Sequence, residues 1–571
     1  MKTLRWIGAA ALAIPLLAAA AWASAPQEKK EAAAPGMDRS QYYEITIYMD
    51  SMDPKTEELA GKNSFRKLLK EKFNFGYKAV LYPGDVQEQL MLMLAAGNYP
   101  DIVRLYTSKA ARAYGQAGAL VELGPLMDKY GPNFKARHES RIPAWKAFSG
   151  MNDGKVWLWT YWQPELSMGV SSPYLEWIIR SDILEQQGYP NIKDEFDMYD
   201  VLKKGVQANP TTDGYPTLGF THPLAAWGTN GLYCIVMSFN LGRLHHMSLN
   251  HGSIYDFDQK KFIDVATDYS YKDGLKFFNL LYRDGLYDRE AVTDDYDAFT
   301  RKMESGRGLS NFFYMWDYRG WNVALAQAGK PYRYIPYPLM LRSQREKGEY
   351  KGYTINSGEV WTSCAITKNA KSPERLMEVL DWQATEEGLV ACGWGMEGVQ
   401  YAVRNGKRYA TQEHLDRLQK DSDYRFTYGG IMELGFFGGL DANGQCYLMD
   451  EDADYVALSM DPVLKGVYAK YGWSGFRDMY RQNKNFKLIY DLPLDIKNAA
   501  PSFSYDQEKQ WEKIDAMTHD YTMKLVTARN EAEFEGLFQA FLQRRNEMGL
   551  PALIAQWNKE YANLRMEYGL K

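Results

Sequence analysis

Cysteine is scarce in this chain: four residues among 571, at positions 234, 364, 392 and 446. They stand far apart with neither a CxxC pair nor zinc-ligand spacing, which excludes a redox dithiol and a structural zinc site. Outside a cell one or two disulfides are allowed, with no pairing legible. Histidine numbers seven; His245, His246 and His251 gather in a stretch that reads as a polar loop rather than a metal site. The GxSxG, HExxH and Walker A signatures are all missing. So is any excess of positive charge. The formal net charge is -5, which argues against a nucleic-acid partner. After the first 25 residues no apolar run approaches membrane length.

What is present begins with that first segment. Lys2 and Arg5 precede the apolar run 6–23, which ends in Ala/Ser-rich sequence. This is an export signal over residues 1–25, expected to be cut near Ala23, so the mature chain works in the periplasm or outside the cell. No cysteine precedes Cys234, so a lipid anchor has no thiol to use and a soluble exported protein is expected. Residues 26–38, which include PQEKKEAAAPG, carry charge, Ala and Pro but no apolar period and read as a flexible tether.

The body reads as α/β. Residues 42–50 favour a strand, 56–73 an amphipathic helix, 77–81 a strand, a helix capped by Asp85 and Glu88 runs through Ala96, and 101–105 forms a third strand. Further helices are expected over 197–209, 273–285 and 373–388, a returning strand over 359–366, and a helical tail over 506–568 broken at Gly549-Leu550-Pro551. The length allows more than one core. The expected division places 39–170 in a first lobe, 171–355 in a second and 356–571 in segments that return to both, with the change of lobe near Trp177–Arg180.

The unusual content is aromatic: 42 Tyr and 16 Trp. A sugar presents an apolar C–H face, which an indole can cover, and a rim of hydroxyls for neighbouring polar side chains. The densest patch runs VWLWTYW, with Trp157, Trp159 and Tyr161 on one face of a strand and Trp162 on the other. A second cluster holds Trp316 and Arg319, and Trp227 is chosen on local composition as they are. A third holds Trp394, Glu397 and Tyr401, in a glycine-rich stretch. Asp101 stands at a loop-to-strand junction, placed to accept hydroxyl hydrogen bonds. Burial in the core is the competing reading for the aromatic residues, and plain turns for the glycines. Glu165 and Glu397 are the acids to watch for a glycosidase, whose pair needs a separation that only a fold can set.

The segments QLMLMLAAGNYPDIVRL (89–105), DGKVWLW (153–159), WIIRSDILEQQGYP (177–190), AITKNAKSPERLMEVLDWQATEEG (365–388) and GMEGVQY (395–401), in this order, resemble the family 1 extracellular solute-binding proteins of bacterial ABC importers. Within that family the likeness is to the large branch containing the alginate-oligosaccharide binders and LipO-like lipoproteins. It spans most of 42–565. The resemblance implies a two-lobe, type II periplasmic-binding-protein fold with a hinge and an interlobe cleft. It further implies capture of an oligosaccharide for an ABC permease without chemical conversion, and a monomer. A peptide or other solute is the alternative cargo, and a secreted glycoside hydrolase or lyase the alternative class. That branch carries a calcium loop of the form DxNGxGxxD after the helix following the WIIRSD segment. Here the place reads Asn209-Pro210-Thr211-Thr212-Asp213-Gly214, with two obvious oxygen-bearing ligands where calcium takes six to eight oxygens. The loop is expected to hold its shape without metal, and no other cofactor is implied.

Overall fold

The computed structural model describes residues 37–48, 54–80, 86–151, 153–160, 175–224, 244–245, 253–256, 259–349, 351–354, 363–421, 423–430, 434, 439–475, 478–479, 482–483, 486–489 and 503–567. The chain divides into units 1–41 and 42–571, and the architecture lies in the second. The export signal and most of the tether fall outside the described residues.

The first lobe is built on a five-stranded sheet in the order Phe75–Val80, Tyr43–Tyr48, Ile102–Leu105, Ser363–Ile366, Trp159–Thr160. The first three strands run parallel, with Tyr43 opposite Phe75 and Ile47 opposite both Ala79 and Ile102. The helices between them make the crossovers that parallel strands require. Strand 363–366 arrives from far along the chain and inserts antiparallel, Ala365 opposite Val103 and Cys364 opposite Trp159. Its residues are all buried, as a strand covered on both faces must be.

The second lobe is built on a mixed four-stranded sheet, Tyr334–Pro336, Leu175–Arg180, Gly308–Tyr314, Leu218–Phe220, in which 175–180 runs antiparallel to both neighbours and 308–314 runs parallel to 218–220. Trp177, fully buried, stacks on Phe278 at 5.9 Å and meets Phe220 and Phe312 edge-on or tilted. One core gathers Tyr43 through Trp159 with Cys364 through Tyr447; the other gathers Trp177 through Leu341 with Val467 through Phe541. The chain therefore passes from one core to the other three times. The passage that is described is two residues long, Met460 and Asp461, between the helices Ala453–Ser459 and Pro462–Lys470. Asp461 caps the second helix through Val463 N–H (2.7 Å) and accepts from Arg333 Nε (2.7 Å), which fixes the passage to the second lobe.

Three helices close the chain: Tyr505–Val526, Glu531–Glu547 and Leu550–Glu567. Their own core stacks Trp557 on Phe262 at 4.5 Å. Asn558 completes the strand Lys261–Asp264 as a neighbouring strand would, accepting from Phe262 N–H (2.8 Å) and donating to Phe262 C=O (2.9 Å). Arg545 has no exposed surface and bonds Asp264 at 2.9 and 2.7 Å and the Thr518 hydroxyl at 2.7 Å.

Most expected elements form, with differences that have local causes. The helix expected over 56–73 is three pieces, Lys55–Glu58, Ala60–Lys62 and Ser64–Phe73. Asn63 stops it, because its carboxamide caps Arg66 N–H (3.0 Å) while its amide donates to Phe426 C=O (3.1 Å). The helix expected over 373–388 breaks into Pro373–Gln383 and Glu386–Gly393, with Thr385 as the new cap. Gly388 packs so tightly there that a Cβ would sit 2.1 Å from Trp382 C=O, a contact only glycine can make. The strand expected over 359–366 is described as 363–366. The three described cysteines, 364, 392 and 446, are buried.

Replacing Arg545 with alanine leaves Asp264 and Thr518 without their buried partner. We expect a loss of about 3 kcal/mol in urea unfolding; a change under about 0.5 kcal/mol would contradict the structural role given to it.

Candidate functional site

The turn Met449–Glu451 carries Asp450, eleven residues before Asp461. Two features of sequence build this turn. Asp441 folds the loop 441–445 by accepting from Asn443 and Gln445 N–H (2.8 and 2.9 Å). Asp452 then starts the next helix by accepting from Asp454 and Tyr455 N–H (both 3.1 Å) and from Gln445 Nε2 (3.1 Å).

Asp450 is exposed to water, yet desolvation by the protein around it pushes its carboxyl above the usual carboxylate range, and the Arg319 charge pulls it back. Arg319, itself exposed, belongs to the helix Met315–Gln327 of the second lobe. The Asp450 charge in turn adds to burial in raising the phenols of Tyr428 and Tyr455. Acid, phenols and guanidinium from both lobes thus share one electrostatic neighbourhood.

Behind Asp450 lies a shelf of rings. His414 meets Tyr428 at 4.9 Å, Tyr424 at 5.5 Å and Tyr455 at 6.3 Å. Its Nδ1 is 3.0 Å from the Tyr424 hydroxyl, and that hydroxyl also accepts from Gln400 Nε2 (3.2 Å). Gln400 Oε1 accepts from Met396 N–H (2.9 Å). Gly395, at φ 84°, leaves the space that Gln400 fills. The glycine-rich stretch 395–401 is therefore the foundation of this shelf.

The residues singled out from sequence are scattered by the fold. Asp101 accepts from Thr46 N–H (2.7 Å) and the Thr46 hydroxyl (2.6 Å), tying neighbouring strands of the first lobe. Trp157 is partly exposed, its indole N–H directed to Asp153 (3.0 Å to Oδ2). Trp159 has no exposed surface and packs in the first core. Trp394 is equally buried, donating to Cys446 C=O (2.9 Å) with Tyr401 edge-on at 5.9 Å and the Arg408 guanidinium 5.3 Å from its ring. Glu397 is exposed and bridges by backbone to the largely buried Tyr401. Trp316 opens the helix that carries Arg319. Tyr161, Trp162, Trp227 and Glu165 lie outside the described residues, as do His246 and His251. Sequence reasoning passed over Asp450, Tyr428 and Tyr455. The available signal was an acidic, tyrosine-bearing run, YLMDEDADY (447–455), following the tyrosines of YRFTY (424–428).

No protein-family model matches the chain. The two-lobe α/β fold is that of ABC-transporter solute-binding proteins, as the sequence resemblance implied. The alginate-binding protein AlgQ2, solved without calcium ion, superposes over 91% of this chain and 98% of its own, with TM-score 0.60 and 17% identity. FusA of Streptococcus pneumoniae in complex with kestose superposes over 92% of this chain and 100% of its own, with TM-score 0.61 and 15% identity. By sequence, the curated fructooligosaccharide ABC transporter substrate-binding protein FusA of S. pneumoniae serotype 4 is 24% identical over 325 residues. That match spans 56% of each protein, so the chain aligns with about half the length of this curated relative. An EF-hand mutant of FusA also superposes, with TM-score 0.60, 16% identity and 92% of this chain covered.

Trp394 in this setting supports the shelf from within. Trp394→Ala should cost about 3–5 kcal/mol of stability by emptying a core site, read by chemical unfolding; a stable variant would mean that the ring is not packed. His414 yields a second prediction. Burial, aided by the nearby Arg417 charge, lowers its pKa from 6.5 to about 4. The unfolded chain then binds a proton that the folded chain refuses, so stability is lost as pH falls from 6.5 toward 4. His414→Gln should flatten the acid limb of a Tm-against-pH curve, and an unchanged limb would assign the acid sensitivity elsewhere.

Proposed function

We propose that this protein is the substrate-binding component of an ABC importer and captures an oligosaccharide between its two lobes, releasing it unaltered to a permease. The observation that carries this reading is the Asp450–Arg319 neighbourhood, in which an acid following the first-lobe segments meets the charge of a second-lobe guanidinium. A ligand that touches Asp450 and the tyrosines of one lobe and Arg319 of the other gains contacts only when the lobes approach. It therefore draws the population toward the closed form. The chemistry suits a sugar. A carboxylate accepts two hydroxyls, a guanidinium donates to ring or glycosidic oxygens, and tyrosine faces cover C–H surface. We assign Asp450, Tyr428, Tyr455 and Arg319 to the site, with the partly exposed Trp157 as the candidate stacking ring.

The reading accords with what the relatives' names say of them: a fructooligosaccharide binder, a kestose complex and an alginate binder. On the same reading the segment 1–25 is an export signal that delivers the protein to the periplasm or outside the cell. No helix among the described residues is long and apolar enough to cross a membrane.

Titration calorimetry with a panel of fructo-, manno-, xylo- and alginate-derived oligosaccharides tests the proposal. Binding of at least one is expected, with the sugar recovered intact by mass spectrometry. Asp450→Asn and Arg319→Ala should each weaken that binding about tenfold or more, about 1.4 kcal/mol, while leaving the melting temperature of the ligand-free protein in place. Appearance of a cleaved product, or no binding across the panel, overturns the reading.

A further inference from the structure

The segment that follows the helix Glu195–Ala208 occupies the place where the resembling branch carries its calcium loop. Its structure is a tight hairpin. Thr211–Thr212 pairs with Tyr215–Pro216, Thr212 opposite Tyr215. The corner residues Asp213 and Gly214 have φ of 53° and 82°, the left-handed pair that a two-residue type I′ turn demands and that Asp-Gly supplies.

The oxygens that a metal would need are already engaged. The Asp213 carboxylate is paired with the Lys330 ammonium. The Asn209 side chain turns back onto its helix, donating to Gly205 C=O (3.0 Å) and Gln186 Oε1 (2.8 Å). The Thr212 and Thr217 hydroxyls bond each other at 2.9 Å. Behind the hairpin Arg180, almost fully buried, donates to the Thr212 hydroxyl (3.3 Å) and Gly306 C=O (2.5 Å). Asp182 holds its other edge with two bonds of 2.8 Å. Arg307 Nε donates to Pro216 C=O (2.8 Å). Two acids thus face three cationic side chains. A divalent ion entering here would meet like charge and no cage of the six to eight oxygens that calcium takes.

We infer that this hairpin is a metal-independent strut in which Lys330, seconded by Arg180 and Arg307, supplies the positive charge that a bound ion would supply in a calcium loop. The strut has mechanical consequence. Thr217 N–H returns to Pro210 C=O (3.0 Å) and Leu218 N–H to Arg307 C=O (3.0 Å). The hairpin thereby sets the start of strand 218–220 at the edge of the second-lobe sheet. Lys330 follows the helix 315–327 that carries Arg319, so one cation links the hairpin to the element bearing a proposed site residue.

The test uses the full mature chain without sugar and is independent of the cargo it carries. Melting curves in excess EDTA and in millimolar calcium chloride should coincide. Lys330→Met should lower the melting temperature by several degrees and speed hydrogen exchange in 209–218 specifically, and Lys330→Arg should restore both. Saturable calcium stabilisation of the unmodified protein, or unchanged exchange in Lys330→Met, overturns the inference. Should Lys330→Met fail to fold, the calcium and EDTA comparison on the unmodified chain decides by itself.

Discussion

Strand 363–366 is the join on which the architecture depends. Each lobe has a core of its own, yet the sheet of the first is complete only when this segment, two hundred and more residues after its neighbours, inserts between 102–105 and 159–160. Its backbone groups have no other way to be satisfied in a buried layer. Everything downstream inherits its position: the Thr385 cap, the tight contact at Gly388, the shelf founded on 395–401, and Asp450 at the shelf's edge. A chain that crosses between lobes this way cannot complete one lobe independently of the other, which is the arrangement a hinged binding protein needs.

The site follows from the same economy. Large aromatic residues are plentiful, and the fold spends many of them on packing. Trp159, Trp177 and Trp394 are wholly interior. The groups of the proposed site are chemically milder: an exposed acid and guanidinium, Asp450 and Arg319, with the half-buried Tyr428 and the buried Tyr455. Such groups bind hydroxyl-rich ligands reversibly. Asp450, Tyr428 and Tyr455 stand on the first-lobe side and Arg319 on the second, so neither lobe holds the set by itself. Asp461 accepts from Arg333, which fixes the passage between the helices 453–459 and 462–470 to the second lobe.

The second lobe carries a parallel lesson about charge. The hairpin at 211–216 is closed by pairs of opposite charge, Asp213 with Lys330 from far along the chain and Arg180 with its neighbour Asp182. Protein-borne cations do not dissociate, and on the inference drawn above that is what lets the hairpin keep its shape whatever the ion content of the compartment.

The order of strands and helices was legible in the sequence because it rests on local patterns: period-2 and period-3.6 apolar spacing, and the break at Gly549-Leu550-Pro551 between the last two helices. The solute-binding fold was legible because several such patterns recur in one order. Which aromatic side chains meet solvent was not, since Trp157 and Trp159 belong to one short motif yet differ in burial through the sheet neighbours that cover one and leave the other. Nor was the break at Asn63, whose cause is a carbonyl at Phe426. Asp450 was invisible for the same reason: its character comes from desolvation by surrounding segments and from the Arg319 charge, which only folding brings near. Local sequence determined the elements and their order; burial, charge pairing and the meeting of the two lobes are properties of contacts between distant segments, and the tertiary structure alone decided them.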